Sequence, residues 1–256
     1  MSAAAELPAE LLKAVGQALA RSKARVVSSL SHDLAGVWFR LRTAVLVDSC
    51  LLSEKEARTL AKALESTRPS LFVLHEPVSG QTLVVNRDLL EDRLREQVPL
   101  VDVGGREPLV LSIPPPSLAA LLASLSSSSP TSFLSLDLPD PDRPQNLVPL
   151  VGILLDYAVA YSLGDSDGRN CLGGRDLVVV EAALVNEGGG RQRLLSFSYP
   201  SSLSTDDPAL EPLSVVRLLQ LKLDARLSTA RAQHRELERV WIEVDSRAVV
   251  LDQVAL

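Results

Sequence analysis

Apolar residues recur at helical spacing in five segments of the chain. Leu11 and Val15 lie on one face of a first predicted helix, residues 8–25. Ser53 followed three residues later by Glu56 is the capping-box pattern, so a second helix is predicted to begin there. Three further helices are predicted at residues 88–95, 118–125 and 212–238, of which the last is the longest.

Other apolar segments are short and bounded by turn residues, as β-strands are. They predict strands at residues 37–48, 71–75, 81–85, 100–103, 109–113, 149–155, 157–163, 177–185, 194–199, 240–244 and 248–251. Four hairpins are predicted, at the turn residues Ser79-Gly80, Gly104-Gly105, Gly188 to Gly190 and Asp245-Ser246. Hairpins mixed with separate helices do not give the regular alternation of a doubly wound fold. We therefore expect an α+β (mixed α/β) fold: a largely antiparallel mixed sheet with packed helices, and a long C-terminal helix followed by a hairpin.

The length of 256 residues is compatible with one domain, residues 1–256, and neither half of the chain has a complete pattern of its own. Residues 126–146 differ from the rest in composition. They contain a run of four serines and several prolines among aspartates, so a flexible surface loop is predicted there.

Charge and composition exclude several classes of partner. The net charge of −6 argues against nucleic acid as a main partner, because phosphates are held mainly by Lys and Arg. No apolar segment has the length and continuity of a membrane span, and the N-terminus lacks the pattern of a signal peptide. Two cysteines suggest no disulfide framework, so a cytoplasmic or nuclear protein is expected.

Three aspartates end apolar runs, Asp48, Asp102 and Asp156, and two of them, Asp48 and Asp156, are candidate catalytic residues. Carboxylates at strand ends can gather as an acid and base pair. The competing interpretation is structural, because aspartate often ends a strand by binding local backbone amides. The sequence favours the structural interpretation and leaves the catalytic one open.

The glycine-containing segment 164–176 carries the other candidates. Asp165 and Asp167 resemble part of a calcium loop, but the spacing is compressed and the final glutamate is missing, so no metal site is predicted. Cys171 is a candidate nucleophile, although no spacing pairs it with a histidine. The candidate ligand-binding residues are Asn170, Tyr157 and Tyr161. No motif indicates a cofactor.

Four short motifs carry a resemblance to known proteins. They are residues 155–161 (LDYAVAY), 170–172 (NCL), 194–200 (LLSFSYP) and 251–256. With them the second half of the chain resembles an uncharacterised eukaryotic family of conserved proteins of unknown function, one member of which is encoded by an open reading frame on human chromosome 1. That family tends to have Gly-Tyr-Pro-Val where residues 156–159 read Asp-Tyr-Ala-Val. The resemblance implies neither a reaction nor a ligand.

Two hypotheses about function follow. The first is a soluble, non-enzymatic binding or scaffold protein that contacts another protein through its C-terminal helix; it rests on the absence of a catalytic motif. The alternative is an enzyme or small-ligand-binding protein that uses the Asn170-Cys171 loop with the strand-end aspartates. The sequence itself leaves the function unknown and leans against an enzyme.

Overall fold

The computed structural model describes residues 5–20, 24–127, 131–140, 142–164 and 170–254. Within these ranges the chain forms eight α-helices and ten β-strands. The helices are α1 (Ala9–Ala18), α2 (Ala24–Trp38), α3 (Glu54–Thr67), α4 (Arg87–Arg95), α5 (Pro116–Ser127), α6 (Val148–Leu154), α7 (Leu203–Asp206) and α8 (Pro212–Arg231). The strands are β1 (Ala44–Leu46), β2 (Leu71–His75), β3 (Thr82–Asn86), β4 (Leu100–Asp102), β5 (Leu109–Leu111), β6 (Phe133–Ser135), β7 (Ala160–Ser162), β8 (Asp176–Asn186), β9 (Arg191–Pro200) and β10 (Val240–Val250).

The strands form three sheets. Their strand orders are β1-β3-β2-β6, β5-β4-β7 and β10-β8-β9. Neighbouring strands are antiparallel except for the pairs β2 with β6 and β4 with β7, which are parallel. The predicted α+β class, mostly antiparallel with a long helix near the C-terminus, is therefore confirmed.

Several predicted elements have clear local causes. At the start of α3 the Ser53 side chain accepts from the Glu56 backbone amide and the Glu56 carboxylate accepts from the Ser53 amide, which completes the capping box. The hairpins β2–β3, β4–β5 and β8–β9 occur as expected. In the last of these, Gly189 has a φ of 75°, a conformation that glycine adopts without strain.

Two predicted strands are wrong in type or extent. Residues 149–154 of the strand predicted at 149–155 lie in helix α6. The prediction failed because a short run that is apolar on every side has no period that distinguishes a buried helix from a buried strand. Residues 37–48 were expected to be one strand, but α2 continues to Trp38 and only Ala44–Leu46 is extended. Leu30, Leu34 and Trp38 repeat every fourth residue and are buried, which explains the helix. The first helix ends at Ala18 rather than near residue 25.

The C-terminal part also differs in detail. Helix α8 ends at Arg231, short of the expected residue 238. Strand β10 runs without a turn through Asp245 and Ser246, which pair with Glu181 and Val180 of β8. The long partner strand β8 offers eleven consecutive pairing positions, so β10 continues along it.

The segment predicted as a loop contains ordered pairing. Phe133–Ser135, within residues 126–146, forms β6 and pairs with β2. Whether the segment is flexible, and whether the chain is one domain, stay predictions. Among the described helices, none is long and apolar enough to cross a membrane.

The buried side chains form two clusters. One surrounds the β8–β10 sheet with α1, α2, α3 and α8. The other lies between α4, α5, α6 and the β2–β3 strands. Tyr157, directly after α6, packs against both clusters. The connection between α6 and β7 therefore lies where the two clusters meet.

Candidate ligand-binding site

A cleft of about 460 Å³ lies between α6, β7 and the β8–β9 sheet, and it is partly open to solvent. Its walls are mainly apolar and include Leu46, Val151, Leu155, Val159, Val179 and Phe197. Gln81, Ser196 and Ser198 add a few polar groups. Small-molecule sites have this composition: apolar walls with a small number of polar groups that orient the ligand.

Two predicted ligand-binding residues, Tyr157 and Tyr161, line this cleft. The Tyr157 ring stacks on Phe197 with 5.3 Å between ring centroids and 27° between planes. The Tyr161 hydroxyl donates to the Ser198 carbonyl at 2.7 Å. Burial raises the pKa of both tyrosines above the usual value. Both are therefore neutral near pH 7 and offer flat, largely apolar surfaces.

A glycine sets the width of the cleft at α6. A Cβ atom on Gly152 would lie 3.1 Å from the Ala160 Cβ and 3.3 Å from its Cα. Because no side chain separates them, α6 packs directly against the start of β7. Gly152 also lines the cleft, so this close approach shapes its wall.

The end of α6 directs neighbouring side chains to opposite sides. Asp156 has a φ of 63°, and its amide donates to Ile153 while the Tyr157 amide donates to Gly152. This is the Schellman arrangement, with an aspartate at the position where glycine is most common. As a result Leu155 and Tyr157 line the cleft, whereas Asp156 lines a separate cavity of about 260 Å³.

Asp156, one of the candidate catalytic residues, is the centre of a buried ionic cluster. Its carboxylate accepts from the Thr43 amide at 2.6 Å and from the Thr43 hydroxyl at 3.0 Å. Arg226 donates to both oxygens, at 3.0 and 3.1 Å. Lys222 Nζ lies 3.1 Å and Arg93 Nε 3.9 Å away. The cluster joins α4, α6, α8 and the segment before β1.

The charge of Asp156 is fixed by this environment. Burial would raise the pKa of its carboxyl, but Arg226, Lys222 and Arg93 lower that pKa far below its usual value. Both oxygens already accept hydrogen bonds from Thr43 and Arg226. A carboxylate held in this way suits the attachment of α8 to α6 better than proton transfer.

The other aspartate candidate, Asp48, lies near Tyr157 in a second group of charged side chains, which also contains Asp33 and Arg42. Burial and the neighbouring Asp48 raise the pKa of Asp33 to about 6. Asp48 itself is exposed. Arg42 is buried close to this group and to Asp156; its Nη2 donates to the Leu155 carbonyl at 3.4 Å, and its Nε has no acceptor among the described residues. Sequence reasoning missed Asp33 and Arg42, since no spacing links them to Tyr157.

The remaining candidates, Asn170 and Cys171, do not line the cleft. Asn170 Nδ2 donates to the carbonyl of Val254, which lines the cleft. Cys171 is half-buried, and its amide donates to the Val103 carbonyl. No hydrogen bond within the described ranges joins the Cys171 thiol to Asp48 or Asp156.

The metal candidates Asp165 and Asp167 lie outside the described residues. In the part of the chain that the structure describes, no group of three His, Cys, Asp or Glu side chains is arranged to hold a metal ion.

Fold and cleft together define an α+β protein with a mainly apolar site between helix α6 and a sheet. Residues 14–213 match the family model DUF4504, described as a domain of unknown function. The match covers most of the chain, so the protein belongs to this family, and the expected membership of an uncharacterised family is confirmed. The function of the family is unknown. No curated protein and no solved structure matches the chain.

Proposed function

We propose that the protein is a non-enzymatic binding protein that takes a small, largely apolar molecule into the cleft beside α6. The observation that carries this proposal is the cleft itself, of about 460 Å³ with mainly apolar walls. Ligand sites for small molecules span about 300–1,000 Å³ and have similar walls. Every residue named in the cleft walls except Val254 lies within the family match.

The side chains of the cleft suit a neutral, planar ligand. The stacked pair Tyr157 and Phe197 offers aromatic surface for a further ring. Ser196, Ser198 and Gln81 supply hydrogen-bonding groups, and the carboxylate of Asp156 faces away from the cleft. A charged ligand would lose its hydration against apolar walls. The best candidates are therefore aromatic molecules with one or two neutral polar groups.

The protonation and hydrogen bonding of the candidate catalytic side chains favour a non-enzymatic binding protein over an enzyme. Asp156 is ionised and fully hydrogen-bonded, and the Tyr161 hydroxyl already donates to a backbone carbonyl. A nucleophilic Cys171 would need a neighbouring base. The described hydrogen bonds give the Cys171 thiol no such partner. The enzyme hypothesis with the Asn170-Cys171 loop would instead require these groups to rearrange.

A protein partner on α8 is a second candidate, favoured by one observation. Leu213, Leu218 and Leu221 are 73%, 62% and 59% exposed, unlike the inward leucines of the same helix. Exposed Arg217 and Asp224 accompany them. This face would suit an amphipathic helix of another protein whose apolar side contacts the three leucines, with an acidic residue near Arg217 and a basic residue near Asp224. Binding of an amphipathic helical peptide of this kind to the wild type, but not to a Leu218→Glu, Leu221→Glu variant, would support a protein partner on α8.

As part of the proposal the protein acts in the cytoplasm or nucleus. Cys50 and Cys171 are both free thiols, as is usual in a reducing compartment. Cell fractionation with a tagged full-length chain tests this location. Recovery only from the secretory pathway would contradict it.

Thermal-shift measurements with a panel of neutral aromatic, aliphatic and charged small molecules test the main proposal. Some neutral aromatic molecules are expected to raise the melting temperature, because a ligand that binds only the folded state stabilises it. A Val179→Trp variant, whose indole fills the cleft, should lose this response. Val78→Trp is the matched control, because Val78 is exposed and lies outside the cleft walls. Equal responses in both variants would contradict the proposal.

A further inference from the structure

Strand β10 lies at the outer edge of the β10-β8-β9 sheet. The Asn186 amide donates to the Gly190 carbonyl, so the even-numbered residues of β8 face β9 and its odd-numbered residues face β10. Odd-numbered residues of β10 pair with odd-numbered residues of β8, so the even-numbered residues of β10 direct their N–H and C=O groups away from the sheet. Two of these outward carbonyls are occupied by side chains of α8. Gln220 Nε2 donates to Ile242 O at 3.0 Å, and Arg231 Nη2 donates to Val240 O.

Beyond Ile242 the described residues make no hydrogen bond to the outward side of this edge. Val244, Ser246, Ala248 and Val250 point their backbone groups outward, and no strand pairs with that side within the described ranges. Ala248 and Val250 are exposed. An edge of this length and pattern is a ready template for a further strand, unless it is covered or paired.

We infer that a second copy of this chain pairs with the free edge, so that the two β10 strands lie antiparallel about a two-fold axis at Ser246. The two three-stranded sheets would then form one continuous six-stranded sheet. Two-fold pairing of one surface with itself is the commonest way in which soluble chains form dimers. This inference is independent of the cleft beside α6.

Charge selects the register of this pairing. Directly opposite residues of antiparallel strands lie on the same face, so an axis at Ser246 sets Asp245 of each copy opposite Arg247 of the other. An axis at residue 245 would oppose Asp with Asp, and one at 247 would oppose Arg with Arg. Arg247 is exposed and has no ion pair among the described residues. Asp245 is 71% exposed although Arg191 Nη2 lies 3.4 Å from one of its carboxylate oxygens, so its other oxygen can meet Arg247 of a partner strand.

The free part of the edge limits the length of this pairing. An axis at Ser246 pairs Val244 of each copy with Ala248 of the other. The next outward position, Ile242, keeps its hydrogen bond from Gln220, so each strand contributes residues 244–248.

The test is sedimentation velocity of the full chain over a range of concentrations, with charge variants. The wild type is expected to form dimers. Asp245→Arg and Arg247→Asp should each raise the dissociation constant about tenfold or more, because each variant opposes like charges at two symmetric positions. An equimolar mixture of the two variants should form a heterodimer, because every opposed pair then carries opposite charges. The double variant Asp245→Arg, Arg247→Asp should dimerise more tightly than either single variant, because the opposed charges again differ in sign.

Two outcomes would overturn the inference. One is a wild-type chain that stays monomeric at every concentration. The other is a dimer that the single charge variants do not weaken, since it would then use another surface. Far-ultraviolet circular dichroism checks that each variant is folded, and the mixing experiment separates lost pairing from lost folding.

Discussion

Arg226 on α8 and Asp156 at the end of α6 form a bidentate ion pair, in which the two terminal guanidinium nitrogens, Nη1 and Nη2, each lie within 3.1 Å of a separate carboxylate oxygen. Arg226 also donates to the Leu41 carbonyl and to the Thr43 hydroxyl. One side chain of α8 thereby fixes the end of α6 and the segment that leads into β1. Because the next residue, Tyr157, lines the cleft, this pair supports the cleft wall from behind.

Replacement of Asp156 by Asn should destabilise the protein by about 3–5 kcal/mol, the usual cost of removing one partner from a buried ion pair. Asn tolerates the positive φ of this position, so the loss reports the charge. Urea unfolding measures it. Asp48→Asn is the matched control, and it should change stability by no more than about 0.5 kcal/mol because Asp48 is exposed. A small effect at Asp156 would show that the cluster does not hold α8.

Asp33 should make the protein less stable as the pH rises. Its folded pKa is raised from 3.8 to about 6, so between these values the folded state binds more protons than the unfolded state. Stability then falls as the pH increases through this window. Asp33→Asn should be more stable than the wild type above pH 6, by about 1 kcal/mol after allowance for partial exposure. Melting temperatures of both proteins from pH 4 to 8 test this; a constant difference would contradict it.

His234 should have the opposite effect. Burial and the neighbouring Arg68, whose Nη2 lies 3.3 Å from His234 Nε2, lower the pKa of His234 below 6.5. The unfolded chain therefore takes up a proton first as the pH falls, and stability declines below about pH 6.5. The decline attributable to His234 should be less than about 1 kcal/mol because the ring is partly exposed. His234→Gln should remove it, as measured by urea unfolding at pH 7.5 and 5.5.

Two glycine-to-alanine substitutions should change the stability of the protein in opposite directions. Gly152→Ala gains helix propensity, but its Cβ lies too close to Ala160, so a net loss of about 1 kcal/mol is expected. Gly16→Ala in α1 meets nothing within 4 Å and should stabilise the protein by about 0.5–1 kcal/mol. Thermal unfolding of the two variants compares them directly. Stabilisation by both would mean that α6 can move away from β7.

The elements that the sequence predicts well are those with a local cause. The capping box at Ser53 and the hairpin at Gly188 to Gly190 each depend on residues close together in the chain. Helix α6 was mistaken for a strand because its residues are apolar on all sides. Its type depends on packing against α4 and α5, which are distant in sequence, as well as on the nearby strand β7.

The site was only partly predictable for the same reason. The sequence identifies Asp156 and Tyr157 as candidates, but these adjacent residues lie in two different sites: Tyr157 lines the cleft and Asp156 lines the separate cavity. Lys222 and Arg226 lie one turn apart on α8, but no spacing in the chain relates this pair to Arg93 or to Asp156. The positive φ of Asp156, which the sequence does not reveal, accompanies the separation of its side chain from the cleft that Leu155 and Tyr157 line.

Equilibrium titration with N-phenyl-1-naphthylamine, a neutral aromatic probe, tests the central claim most directly. The wild type and Val78→Trp should each bind one probe molecule per chain with the same dissociation constant. Val179→Trp should bind at least about tenfold more weakly, because the indole occupies the space beside Tyr157 and Phe197. Equal binding by all three proteins, or no saturable binding by the wild type, would contradict a ligand site in the cleft.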